Sequence, residues 1–225
     1  AIIAKDFTVE NVARVAEATA KWLSAKQSQP VVVLGHDCRF AGALFAETAA
    51  KVFLANGVKV HLSEGYVSTP MISLGAVKLK THLGIIITAS HNPAQWNALK
   101  LLNSAGEFIS DADGKALLQI AEQQDFQFSE VFQLGKITQD DTFLDQHIQH
   151  VLDLPWVDVN AIVQSKFRIL VDAVNSTGGI TKEGNGVLQF SAAYCHRFSG
   201  QTWRKSGETG SADSFQSRID TASRD

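Results

Sequence analysis

Apolar residues cluster along this chain in short runs separated by helical patterns. Residues 31–34 read Val-Val-Val-Leu and residues 84–87 read Gly-Ile-Ile-Ile, each bounded by polar turns. Such runs predict strands buried on both faces. Residues 58–62, Val-Lys-Val-His-Leu, alternate and predict a third strand. Between them, residues 8–26 carry Val12, Val15, Ala16, Trp22 and Leu23 at near-helical spacing, and the pattern stops before Pro30. Residues 41–56 predict an alanine-rich helix with a stripe of Leu44, Phe45, Ala49, Val52 and Phe53, ended by Asn56-Gly57. Residues 65–70 form a loop, and Pro70 suits the first turn of a helix reaching about Lys80. Leu99-Lys100-Leu101-Leu102 is a further strand, followed by a hairpin-like turn at 103–106 before Glu107-Phe108-Ile109. Residues 111–124 and 144–152 read as helices, with a polar, linker-like stretch over 125–140. His61 and His82 are most simply a strand-edge and a loop residue. Strands alternating with helices predict a three-layer α/β/α unit with a mixed, largely parallel sheet.

Composition narrows the function classes. With 225 residues, 45% of them hydrophobic, the chain can bury one good core and a small second unit. No apolar run approaches the roughly 20 residues of a membrane span. No charged start leads into an apolar stretch, so a signal peptide is not indicated. Cys38 and Cys195 have no metal-type spacing and suggest no disulfide framework, which fits the cytoplasm. A net charge of −3 argues against broad nucleic-acid binding. Neither phosphate loop of the NTPases or the dinucleotide-binding proteins is present.

The informative chemistry lies after the 84–87 run. Ser90 sits on a polar turn closed by Asn92-Pro93, because proline biases the preceding residue away from the helical region. Open α/β sheets bind ligands at such strand ends. A serine hydroxyl is a weak nucleophile and needs activation. Amides around residues 89–92 could cradle phosphate oxygens. Ser90 and His91 are adjacent and normally project apart, and no Gly-x-Ser-x-Gly elbow surrounds them, so a hydrolase triad is poorly supported.

The string Thr88-Ala89-Ser90-His91-Asn92-Pro93 closely resembles the phosphoserine signature of the α-D-phosphohexomutases. That family comprises phosphoglucomutase, phosphomannomutase and phosphoglucosamine mutase. Trp96-Asn97-Ala98-Leu99-Lys100 resembles its downstream Asn-Gly-x-Lys, with alanine for glycine. Gly35-His36-Asp37-Cys38-Arg39 resembles its Gly-x-Asp-x-Arg, and Gly65-Tyr66-Val67-Ser68-Thr69-Pro70 fits its Gly-x-x-x-Thr-Pro. Val171-Asp172-Ala173-Val174-Asn175-Ser176-Thr177-Gly178-Gly179 resembles the opening of its second domain. The resemblance covers roughly residues 5–180.

The resemblance implies that phosphorylated Ser90 donates to a hydroxyl of a hexose phosphate. A hexose 1,6-bisphosphate forms, and its other phosphate then returns to the serine. Lys100 and His91 are the candidate proton carriers. The family pattern favours Lys100 as shuttle, with His91 lining the phosphoserine pocket. A solvated strand lysine and a turn-capping histidine are the plain alternatives. Asn92 supports the loop, and Asp37 pairs with Arg39 to fix it from beneath. Mg²⁺ is expected on the Ser90 phosphate, completed by carboxylates of an Asp-Gly-Asp-x-Asp loop that this chain lacks. The wording is closest to phosphoglucosamine mutase or phosphomannomutase, and glucose, glucosamine and mannose phosphates stay open.

The expected organisation is a first domain over 1–155, a linker and the start of a second over 156–180, and a tail over 181–225. The tail is poor in large apolar residues and is expected to be disordered or poorly packed. A frame shift or mis-joined fragment near Ile180 would account for the abrupt change in character. Arg204-Lys205-Ser206-Gly207-Glu208-Thr209 resembles the family's C-terminal phosphate loop with its last two residues transposed, and is read as coincidence. The chain starts Ala-Ile-Ile without the family's Gly-[Ile/Thr/Phe]-Arg-Gly element, so a fragment with little or no turnover is expected. A non-catalytic α/β module binding a phosphate or a partner is the competing reading. A hydrolase acting through Ser90 is a third.

Overall fold

The buried runs become the centre of one five-stranded sheet. In a computed structural model of the chain, residues 1–124, 129–165, 176–178, 203–205 and 208–210 are described. Strands β1 (Val31–His36), β2 (Lys59–Tyr66), β3 (Leu83–Ile87), β4 (Leu99–Leu102) and β5 (Ile137–Asp140) lie in the order β4-β3-β1-β2-β5. β1 runs parallel to both β2 and β3, β5 is parallel to β2, and β4 is antiparallel to β3. The sheet is therefore mixed and mostly parallel, as the alternation of elements predicts.

Helices cover both faces. α1 (Val9–Ser24) and α2 (Gly42–Ala55) set Val12, Ala16, Phe45, Ala49 and Phe53 against Val32, Leu34, Ile85 and Ile87. α4 (Asp111–Gln123) lies on α1 through Leu117, Ala121 and Ala18. On the other face α3 (Thr69–Lys78) brings Met71, Ile72 and Ala76 over Val33 and Ile86, joined by Phe143 at the start of α5 (Phe143–Leu152). Successive strand residues point to opposite faces, so a strand covered twice must be apolar throughout. All five residues of β3 are buried for that reason. Each such side chain contributes about 1.5–3 kcal/mol of burial. Helix starts follow local chemistry: Thr8 Oγ1 accepts the Asn11 amide and Ser110 Oγ accepts that of Asp113, each at 3.1 Å.

Several expectations are corrected. β1 continues through Gly35-His36 and β2 through Gly65-Tyr66, where loops are predicted. Leu44 is half exposed, and the inward stripe of α2 is built by Phe45, Ala46, Ala49 and Phe53. The stretch read as a linker contains β5, which needs only Ile137 as apolar anchor because β2 offers a free edge of backbone groups. Residues 107–109 form a single bridge, Leu102 to Phe108, rather than a strand. His61 stands opposite Val33 on one side and Thr138 on the other, inside the sheet rather than at its edge. His82 lies in the loop before β3, as predicted, and its Nδ1 accepts the Val31 amide at 3.0 Å.

The chain divides into two compact units, Ala1–His147 and Ile148–Asp225. In the second, α6 (Val159–Gln164) is capped by Asp158, whose Oδ1 accepts the Ala161 amide at 2.9 Å. β6 (Trp203–Lys205) pairs antiparallel with β7 (Glu208–Gly210). Most of the stretch that resembles a second-domain opening, 171–179, and the rest of the tail lie outside the described residues. Among the described residues no helix is long and apolar enough to cross a membrane.

Two positions test this packing. A Cβ at Gly35 would stand 2.3 Å from Val67 Cγ2 and 2.8 Å from Ile72 Cδ1. Gly35→Ala should therefore cost about 1–3 kcal/mol in denaturant melts; unchanged stability would show that β1 and α3 do not meet this closely. Glu17, only 5% exposed on α1, accepts a 3.2 Å bond from Asn56 Nδ2. Burial raises its pKa above the ordinary carboxylate value, and the Asn56 bond opposes that shift only in part. The folded state then holds this proton more tightly than the unfolded chain, so stability falls as pH rises between the two pKa values. Glu17→Gln should raise Tm at neutral pH, and the gain should vanish once the carboxyl is protonated in both states. A gain independent of pH would contradict the assignment.

Candidate active site

The chain passes from β1 to β2 on one side of β1 and returns to β3 on the other. The loops after β1 and β3 therefore leave the carboxyl ends of neighbouring parallel strands at the switch point of the sheet, where open α/β folds bind ligands. His36 pairs with Ile87 in register, so Asp37 and Thr88 emerge side by side.

One side chain holds the Ser90 loop. The Arg39 guanidinium donates from Nη1 to the carbonyls of Pro93 and Trp96 at 2.9 and 3.0 Å. From Nη2 it donates to those of Ser90 and Asn92 at 2.7 and 2.6 Å. Its Nε lies 3.5 Å from Asp37 Oδ2, with the two side chains only 12% and 13% exposed, so solvent screens this pair far less than a surface pair. Asp37 Oδ1 also accepts the Arg39 amide at 2.9 Å. The far end of the loop is tied to the first residues: Ile3 N–H donates to Gln95 O at 2.8 Å and Asn97 N–H to Ala1 O at 2.9 Å.

Within this frame Ser90 is exposed and left-handed, with φ 55°. That conformation costs a non-glycine residue about 1–2 kcal/mol and persists only where the surroundings impose it. Here the Ser90 N–H donates to Thr88 Oγ1 at 3.0 Å, and the Ser90 carbonyl is held by Arg39. Buried Thr88 in turn donates its hydroxyl proton to Asp37 Oδ2. Asn92 closes the turn, its Nδ2 and its amide both reaching Ala89 O at 2.8 and 3.0 Å.

The structure brings Ser90, His91, Asn92, Asp37 and Arg39 together. Against the expectation that adjacent side chains diverge, Ser90 Oγ and His91 Nδ1 are 3.3 Å apart, a long contact for a hydrogen bond. Lys100 lies on β4 opposite Ile86, one pair in from Ile87–Leu99. Its ammonium lies over the Phe108 ring, 5.8 Å from the centroid. Of the turn amides expected to cradle phosphate, those of Ser90 and Asn92 are taken up internally. Thr88 escapes a reading based on motif roles. Its signal is local: a threonine two residues before a turn can accept the i+2 amide.

As to metal, Asp37 gives its oxygens to Arg39 and Thr88, and no three metal-type side chains gather among the described residues. The carboxylates that would complete a Mg²⁺ site are not among them.

Residues 1–128 match the model of the phosphoglucomutase/phosphomannomutase alpha/beta/alpha domain I. The chain belongs to this family. It is 26% identical over 179 residues to a phosphoglucomutase of Staphylococcus haemolyticus, covering 74% of this chain and 31% of the relative. It is 31% identical over 145 residues to a phosphoglucosamine mutase of Methanococcus vannielii, covering 64% and 30%. A crystal structure assigned as a phosphomannomutase from Thermus thermophilus superposes with a TM-score of 0.62 at 29% identity, over 76% of this chain and 36% of that one. The chain thus spans about a third of the length of these family members. The Ser90 loop, Arg39 and Lys100 all fall within the 128 matched residues.

Lysine has three donors on one flexible ammonium and cannot span this set of acceptors. Arg39→Lys should leave the core intact while amides at 90–97 exchange about ten-fold faster or more, read by hydrogen–deuterium exchange. Wild-type protection in the loop would show that the clamp is dispensable.

Proposed function

We propose that the complete protein moves phosphate between C1 and C6 of a hexose phosphate through a phosphoserine at Ser90. The observation that carries this reading is an exposed serine held in a left-handed turn by internal bonds, at the ligand-binding end of the sheet in this family's first domain. The bond from phosphorus to Ser90 Oγ breaks as one to a sugar hydroxyl forms, and the hydroxyl proton passes to a base. The liberated Ser90 oxygen then attacks the other phosphate of the resulting bisphosphate, and that sugar oxygen recovers a proton. Phosphoryl transfer asks for positioning and charge more than for covalent chemistry. The rigid loop supplies the first.

Lys100 is the proposed proton shuttle. From β4 its ammonium is proposed to serve the sugar oxygen. His91, beside Ser90 Oγ, is proposed to pair with the phosphate. Asp37, Arg39 and Asn92 act through the loop. Mg²⁺ is proposed to bind the Ser90 phosphate, with its other ligands outside the described residues. Matches bearing the names phosphoglucomutase, phosphoglucosamine mutase and phosphomannomutase support a hexose phosphate as the substrate class. Residues 1–155 are proposed as the first domain, acting in the cytoplasm.

Incubation of the chain with hexose 1,6-bisphosphate and Mg²⁺ should add one phosphoryl group by intact mass, absent in Ser90→Ala. No adduct would favour a non-catalytic module instead. Labelling of Ser90 by serine-directed acylating probes would favour a hydrolase.

A further inference from the structure

Thr88 is buried directly under the Ser90 turn and has a single hydroxyl proton to give. Asp37 Oδ2 takes that proton. An ionised carboxylate only accepts, so the direction of the bond is fixed, and charge assistance makes it strong. The lone pairs of Thr88 Oγ1 are then left for a donor, and the Ser90 N–H fills that place at 3.0 Å. The Cβ branch of threonine restricts χ1, so Oγ1 does not rotate freely away. A buried carboxylate on the loop after β1 thus reaches the backbone at Ser90, on the loop after β3, through the Thr88 hydroxyl.

We propose that Thr88 is a positioning residue whose hydroxyl links the Asp37 carboxylate to the Ser90 amide and holds Ser90 in the left-handed turn that exposes its Oγ. The functional half of this inference rests on the phosphotransfer reading. It also has a chemical corollary. An amide spent on Thr88 is not a ligand for the phosphate on Ser90.

The test compares Thr88→Val, nearly the same shape without the hydroxyl, with Thr88→Ser, which keeps it. Two readouts are taken on the whole chain: exchange of the Ser90 amide, and phosphoryl uptake from hexose 1,6-bisphosphate by intact mass. Thr88→Val leaves the Ser90 N–H and Asp37 Oδ2 without their partner. The Ser90 amide should exchange about ten-fold faster or more, and uptake should slow by about the same factor, with exchange in β1 and β3 unchanged. Thr88→Ser should restore both to within about three-fold, a rescue that lost methyl packing alone would not give. A Thr88→Val chain with wild-type protection at Ser90 or wild-type uptake overturns the proposal, as does a Thr88→Ser chain no better than Thr88→Val. If the wild-type chain takes up no phosphate, the phosphotransfer reading falls on its own. The exchange comparison then decides whether Thr88 holds the turn.

Discussion

A guanidinium that gathers the carbonyls of residues 90, 92, 93 and 96 does for the Ser90 loop what a hydrogen-bond ladder does for a strand. The segment between β3 and β4 has little regular structure of its own, and exposed carbonyls would otherwise bond water in many arrangements. Arginine suits the task because its donors are planar, fixed in a fork and permanently charged. Its own orientation is set by Asp37, through Nε and the backbone amide. Asp37 is thereby the hub of the site. Burying a carboxylate costs several kcal/mol unless its lone pairs are filled, and here Arg39 and Thr88 fill them. The two loops at the switch point behave as one body because they share that charge.

This body stands where it does because of the order β4-β3-β1-β2-β5. Had β3 continued beyond β2 on the same side, the Asp37 and Ser90 loops would be separated by a strand, about 4.8 Å more. Parallel pairing of His36 with Ile87 brings the two loop starts level. The pairing is fixed by the buried faces, since a one-residue slip would turn the side chains of β3 over between two differently shaped layers. Gly35 belongs to the same constraint, because its missing side chain lets Val67 and Ile72 close over the end of β1. Core packing and site geometry are here a single arrangement.

Much of this was legible in the residues. The β3 run is apolar because helices cover it twice, and a strand of that kind announces itself. The stop at Asn56-Gly57 acts through neighbours in sequence, so local reading finds it. β5 was not legible, because an edge strand is held by backbone pairing and Thr138, Gln139 and Asp140 carry no apolar signal. Leu44 faces outward although it is apolar, because alanines share the buried side of α2 and apolar type alone does not say which side meets the sheet. At the site, Asp37 and Arg39 were legible as loop supports, but the convergence of four carbonyls on one side chain is a three-dimensional fact. Thr88 was visible as a letter of the motif and not as a bond, since its partner Asp37 lies 51 residues away.

The commitment of the Ser90 and Asn92 amides changes what the loop can do for an anion. A typical anion-binding nest turns successive N–H groups outward, whereas this turn directs two of them inward and gains rigidity instead. A phosphate carried by Ser90 would bring about −1.5 to −2 charges to an exposed position. Arg39, the nearest permanent cation, is already spent on carbonyls and Asp37. Among the side chains considered for the reaction, the one left beside Ser90 to meet it is the His91 ring. The turn therefore reads as a stiff mount and not as a binding pocket. Its serine is presented to groups that arrive from outside the loop, which is the arrangement a carrier of transferable phosphate requires.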